Sequence, residues 1–209
     1  MTEKVLQLLN TFGKMPPELN AHIGEILKKE LIPKGTEIVR DGEVSRKIFY
    51  LAKGMIVGLK WQKDQWVTTW IMRDGDIVTS PESFFTQTAS NERVIAVEDC
   101  EIWVITWGEL QETYRLFPIF NLNGRLLTEK YYVQNLKLTD FMKRYTAKEK
   151  YAILLDTDEE LTWRCPAKYL ASYLNVNTTT LSTIKSEVME ERRNRGNSGY
   201  SAGQTGTAG

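Results

Sequence analysis

Hydrophobic positions recur at helical spacing toward both ends of the chain and at strand spacing between them. Residues 2–12 carry Val5, Leu6, Leu8, Leu9 and Phe12, a pattern that predicts a short amphipathic helix. Pro16-Pro17 opens a second helix through Leu19, Ile23, Ile26 and Leu27. Proline is tolerated there because the first-turn N–H has no intrahelical partner. From Lys28 the texture changes. The runs TEIV, KIFYLA, MIVGLKW, WVTTWIM, RVIAV and EIWVIT are rich in β-branched and aromatic residues. Turns at Pro33-Lys34-Gly35, Arg40-Asp41-Gly42-Glu43, Ala52-Lys53-Gly54 and Arg73-Asp74-Gly75-Asp76 separate most of them. Short strands at this spacing predict a sandwich, roll or barrel. Between Asp76 and Arg93 the pattern is less regular, with a short helix expected around Glu82 to Phe85.

After Trp107 the period becomes helical again. Gly108 to Phe117 predicts a short helix, and Pro118 starts another that runs to about Tyr145. Ile119, Leu122, Leu126, Val133 and Leu136 recur at three-, four- and seven-residue steps along it. One apolar stripe over about seven turns fits either core packing or the seam of a parallel dimer. The length favours the seam, because a small domain needs less helix to cover itself. Residues 147–156 predict a further helix, and no repeat is found.

A helix-turn-helix requires a small residue where its helices cross, a turn residue that tolerates left-handed backbone, and apolar anchors on both helices. The segment AKYLASYLNVNTTTLSTIK supplies all three. Ala171 is the crossing residue, Asn175 occupies the turn, and Leu170, Leu174, Val176, Leu181 and Ile184 are anchors. Thr178 is the expected cap of the second helix. Its polar face would then carry Thr178, Thr179, Ser182, Thr183, Lys185 and Ser186. Hydroxyls reach phosphates and base edges but lack the bidentate fork by which arginine reads guanine.

Composition narrows the classes. The chain has 27 basic and 27 acidic residues and no formal net charge, so any basic footprint for nucleic acid is local. No apolar run reaches the ~20 residues of a membrane span, and MTEKVLQLLNTFGK is a poor signal peptide. A cytoplasmic protein is expected. Cys100 and Cys165 read as small buried residues, and the single His22 makes no His-rich metal site. The tail from Asn194 has little to bury, and disorder is expected there.

Glycine-punctuated strands including KIFYLAKGMI and MRDGDIV, then AVEDCEIWVI, a long helix and a C-terminal helix-turn-helix follow one another in order. That succession resembles the cyclic-AMP receptor (Crp/Fnr) superfamily over about residues 5–190. The resemblance implies an α+β protein with a cyclic-nucleotide-binding-type β-roll (jelly roll) at residues 1–117, a dimerisation helix at 118–145 and a helix-turn-helix domain at 146–193, followed by the tail at 194–209. In that family a Gly-Glu pair follows the Gly-Asp turn, and an Arg-Ser or Arg-Thr pair lies ten residues beyond. These hold the ribose and the cyclic phosphate. Counted from Gly75-Asp76, the positions hold Thr79-Ser80 and Ser90-Asn91, with Glu82 and Arg93 two and three residues late. Serine cannot supply the charge that an arginine gives a phosphate. Thr79, Ser80, Glu82, Ser90, Asn91 and Arg93 are therefore the candidate effector-pocket residues, for an effector other than cyclic AMP. Neither haem nor an iron–sulfur cluster is implied, and no cofactor is expected.

The leading function is a DNA-binding transcription regulator with Thr178, Thr179, Ser182, Thr183 and Lys185 at the DNA. Its expected partners are a near-palindromic duplex, a second copy of the chain and RNA polymerase, with no membrane. The alternative is a sensor or protein-interaction module that has lost specific DNA binding. A cupin-like enzyme on the same roll lacks histidine ligands and a catalytic set. Glu98 and Asp99, for example, are adjacent and would point to opposite faces of a strand.

Overall fold

The computed structural model describes residues 2–201 and divides into two compact units, the first ending at Thr139 and the second beginning at Asp140. In the first unit, α1 (Thr2–Phe12) and α2 (Pro17–Ile26) precede β1 (Lys28–Ile32), β2 (Glu37–Val39), β3 (Lys47–Lys53), β4 (Met55–Gln62), β5 (Gln65–Arg73) and β6 (Ile77–Val78). Then come α3 (Pro81–Thr86), β7 (Glu92–Ala96), β8 (Cys100–Thr106), α4 (Trp107–Leu116) and α5 (Phe120–Arg144), the last of which crosses the boundary between the units.

The strands form two four-stranded sheets, ordered β1-β8-β3-β6 and β2-β7-β4-β5. Every pairing is antiparallel. Alternation along the strands sends Phe49, Leu51, Ile56, Val94, Ala96, Ile102 and Val104 into one shared core. Each large apolar side chain buried in this way stabilises the fold by roughly 1.5–3 kcal/mol before entropy is counted. The opposite face of the first sheet presents Ile48, Tyr50 and Trp103 to a second cluster, which α1, α2 and α4 complete with Val5, Leu9, Leu19, Ile23 and Leu110. The β-roll expected from the sequence is thus present.

Two strands escape the sequence pattern. β1 reads KKELI and is largely solvated. It is an edge strand held by charge, with Lys29 2.9 Å from Glu101, and Lys47 of β3 2.8 Å from Glu30. Charged residues are a usual device on sheet edges. β6 has two residues and pairs with Phe49 and Tyr50.

The long helix begins at Phe120, not at Pro118. Pro118 and Ile119 lie in the preceding turn, closed by the Phe120 amide donating to the Phe117 carbonyl. Ile119 therefore stands just before the helix, not on it. Asn123, 2% exposed, donates from Nδ2 to the carbonyls of Leu9 and Gly13, and so satisfies the end of α1.

The second unit holds α6 (Ala147–Thr157), α7 (Glu159–Arg164), α8 (Ala167–Tyr173) and α9 (Thr178–Ser201) around Tyr151, Leu155, Leu161, Leu170, Leu174, Leu181, Ile184 and Val188. Thr146 and Glu149 form a capping box at the start of α6. Lys148 on α6 meets both Glu187 and Glu191 on α9, at 2.7 and 2.8 Å. The tail expected to be disordered from Asn194 begins inside α9, which continues to Ser201; residues 202–209 lie outside the described part.

Candidate functional site

In the second unit, α8 and α9 meet as the sequence pattern requires. Leu170, Ala171, Leu174 and Leu181 are each no more than 1% exposed, and the Val176 amide donates to the Ala171 carbonyl. Asn175 adopts φ 59°, the left-handed region, which asparagine tolerates better than most residues. This sharp turn sets the angle between the helices. The cap is a correction to the sequence reading. The Asn177 carboxamide oxygen accepts from the Thr180 amide at 2.7 Å, so Asn177 caps α9 and Thr178 is its first residue.

Thr178, Thr179, Ser182, Thr183 and Ser186 are all exposed. Thr183 donates to the Thr179 carbonyl and Ser186 to that of Ser182. With its proton turned back to the helix, such a hydroxyl faces outward as an acceptor, suited to the amino groups of adenine or cytosine in a major groove. Lys185 is half-buried, with its ammonium 5.8 Å from the centroid of the Tyr151 ring.

In the roll, the six candidate effector-pocket residues, at or near the positions of the family's phosphate-binding cassette, divide four ways. Ser80 and Ser90 are buried, with their hydroxyls 3.1 Å apart. Both are engaged by Glu92, which sequence reasoning did not single out. Ser80 Oγ donates to Glu92 Oε1 at 2.7 Å, Trp70 Nε1 donates to Oε2 at 3.1 Å, and Ser90 Oγ donates to the Glu92 carbonyl at 2.9 Å. Glu92 is 3% exposed. A buried carboxylate requires such donors to offset its lost hydration. Trp70 reaches it by lying across the β4 backbone at Gly58, where any Cβ would overlap the indole. Glu92 shares a strand face with the buried Val94 and Ala96, and that alternation was the signal that could have found it.

The second group is at the surface, where Asn91 Nδ2 donates to Glu82 Oε2 at 3.1 Å and Lys60 lies 3.8 Å from the same carboxylate. The third is Arg93. Its guanidinium grips both oxygens of Glu37 and lies 5.1 Å from the centroid of the Trp66 ring. Glu82 and Arg93 are thus each engaged by another side chain, and neither of these contacts involves Ser80 or Ser90. Thr79 donates to the Lys47 carbonyl at 2.9 Å and, alone among the six candidates, lines a cavity of about 410 Å³.

That cavity lies between the roll and α5. The terminal strands β5 and β6 contribute Trp70, Met72 and Ile77, while α5 contributes Leu127, Tyr131 and Leu138. α5 thus has two apolar sides. The predicted stripe is the other one, where Leu122, Val133 and Leu136 are 39%, 48% and 52% exposed, and Leu126 is half-buried.

Cys100 and Cys165 are buried, and burial pushes the Cys100 thiol up to about 11. No helix among the described residues is long and apolar enough to cross a membrane.

Residues 29–115 match the cyclic nucleotide-binding domain family. No curated protein matches the sequence. Among solved structures, FixK2 from Bradyrhizobium japonicum is similar at a TM-score of 0.68 and 16% identity, covering 79% of this chain and 86% of that one. CLP, the c-di-GMP responsive global regulator of Xanthomonas campestris, gives 0.62 and 14%, covering 84% and 93%. The catabolite activator protein of Thermus thermophilus gives 0.51 and 19%, covering 88% and 87%. The roll with its short helices, the long α5 and the C-terminal helix-turn-helix therefore have the fold of the cyclic-AMP receptor (Crp/Fnr) regulators, and residues 29–115 are similar to the cyclic nucleotide-binding domain family.

Proposed function

We propose that this chain is a DNA-binding transcription regulator and not an enzyme, and that its roll answers to an effector other than a cyclic nucleotide. The observation that carries the DNA reading is the α8–turn–α9 geometry, with Ala171 at the crossing and Asn175 in the left-handed turn. α9 enters the major groove by its first turns, with Thr178, Thr179, Ser182 and Thr183 toward base edges and Lys185 toward a phosphate. Two copies join through the exposed stripe of α5, and the operator is a near-palindrome. RNA polymerase is the further partner that regulators of this fold suggest. The effector reading rests on Glu92. Its carboxylate takes the Ser80 hydroxyl at the position aligned with the family's Gly-Glu pair, and Ser90 stands where the Arg-Ser pair would put its arginine, so a cyclic phosphate would meet a carboxylate and no guanidinium.

A second reading, an interaction module without specific DNA binding, is favoured by the face of α9 itself, which offers hydroxyls and no arginine through its first two turns. Selection from random duplexes at low salt separates the two. Enrichment of a near-palindrome supports the regulator, and enrichment of no sequence supports the module.

A further inference from the structure

α9 begins TTTLSTIK, with Thr178, Thr179, Ser182 and Thr183 exposed and Leu181 and Ile184 buried. Thr179 and Thr183 are four residues apart, so they are neighbours on one side of the helix. Each threonine carries two chemically different groups on one carbon, a hydroxyl and a methyl. The Thr183 hydroxyl is turned back to the Thr179 carbonyl, a bond that helical threonines commonly make. A threonine held in this way offers its oxygen lone pairs and its methyl to whatever lies against the helix. The Asn177 carboxamide oxygen is already committed to the Thr180 amide. Lys185 is the one basic residue from Thr178 to Lys185, and it is half-buried with its ammonium 5.8 Å from the Tyr151 ring centroid. On α8, Lys168 is drawn to an aromatic ring as well, 4.5 Å from the centroid of Tyr169.

We propose that α9 reads half-sites of A·T pairs, with the methyls of Thr179 and Thr183 against thymine methyls and their hydroxyl oxygens accepting from adenine N6. The proposal rests on the regulator reading and adds to it the class of base that is read. Two features of the major-groove edge decide it. An A·T pair presents the adenine N6 amino group, a donor to a hydroxyl oxygen, together with the thymine C5-methyl, which takes apolar contact from a threonine methyl. A G·C pair also presents an amino group, on cytosine N4, but it has no methyl. Its guanine adds two acceptors, N7 and O6, which are read by arginine or lysine. From Thr178 to Lys185 there is no arginine, and the single lysine lies against Tyr151. Guanine acceptors pressed against this face would give up water without gaining donors, and unpaired groups in a desolvated contact are costly.

Selection from random duplexes with the full chain at low salt, followed by fluorescence anisotropy on the selected duplex, tests this. Half-sites of A·T pairs should be enriched. Replacing a contacted thymine by deoxyuridine removes only the methyl and should weaken binding roughly fourfold. Thr179→Ser and Thr183→Ser keep the hydroxyl and lose the methyl. Each should weaken binding to the thymine duplex roughly fourfold, and each should make one thymine position indifferent to deoxyuridine. Thr179→Val and Thr183→Val keep the methyl and should keep the sensitivity to deoxyuridine. All four are small changes at exposed positions, where stability shifts little. A preference for A·T also arises from groove width and stiffness; the cycle of base and side-chain methyls separates that cause from contact. Deoxyuridine losses undiminished in both serine variants overturn the proposal. Enrichment of a near-palindrome whose half-sites are read at G·C pairs overturns it too, and leaves the regulator reading standing. Enrichment of no sequence defeats both.

Discussion

The Tyr131 hydroxyl accepts a hydrogen bond from the Ile77 amide at 2.7 Å, and so ties α5 to the edge strand β6. Burial pushes the Tyr131 phenol up to about 12, with Asp76 adding to the shift and the Ile77 N–H opposing it.

Tyr131→Phe should leave the Ile77 N–H unpaired and lower stability by about 1–3 kcal/mol, read from the urea midpoint. The same contact gives a pH signature. The phenol is more acidic in the unfolded chain, near its ordinary 10, than in the fold. Its contribution is complete below pH 10 and is lost as pH rises toward 12, because deprotonation favours the unfolded state. Wild type should lose more stability across that window than Tyr131→Phe does. Parallel curves would show that the phenol is not buried.

Glu92→Ala should cost about 1–3 kcal/mol, since Ser80 and Trp70 would lose the acceptor they share. Titration calorimetry of wild type with cyclic AMP should show no heat of specific binding. Micromolar affinity would mean that the carboxylate leaves the site.

Thr179→Ala should change which sequences are selected. Lys185→Ala should weaken all duplexes about equally and lower the salt slope by about one unit. If both variants lose affinity in the same sequence-independent way, α9 is not the reading helix.

Val133→Asp with Leu136→Asp places two charges on the exposed side of α5, where the single chain buries little. Analytical ultracentrifugation should find monomer in place of dimer, because the seam would have to bury both charges. An unchanged dimer would place the interface elsewhere.

Much of this architecture was legible because periodicity reports burial. KIFYLAK alternates Phe49 and Leu51 into the core, and the anchors Leu170, Leu174, Leu181 and Ile184 fall where helical spacing puts them. β1 was hidden because KKELI is polar at an edge, and β6 because two residues carry no period. The helix-turn-helix was readable from local constraints. The roll site was not. Arg93 finds Glu37 across 56 residues of sequence, and Trp70 finds Glu92 across 22. Such partners follow from sheet register, which a linear reading does not supply. Counting to the cassette positions drew attention to Ser90 and Arg93 and passed over the carboxylate between them.

The Glu92 arrangement also changes what competition at the roll means. A soluble anion seeking the Ser80 hydroxyl does not displace water; it contends with a carboxylate held there by the chain itself, at 2.7 Å. A tethered group acts at an effective concentration of roughly millimolar or more, set by the length and stiffness of its attachment. β7 makes that attachment short and rigid. Fluctuations in a dilute cellular nucleotide would therefore leave the occupancy of this position nearly constant.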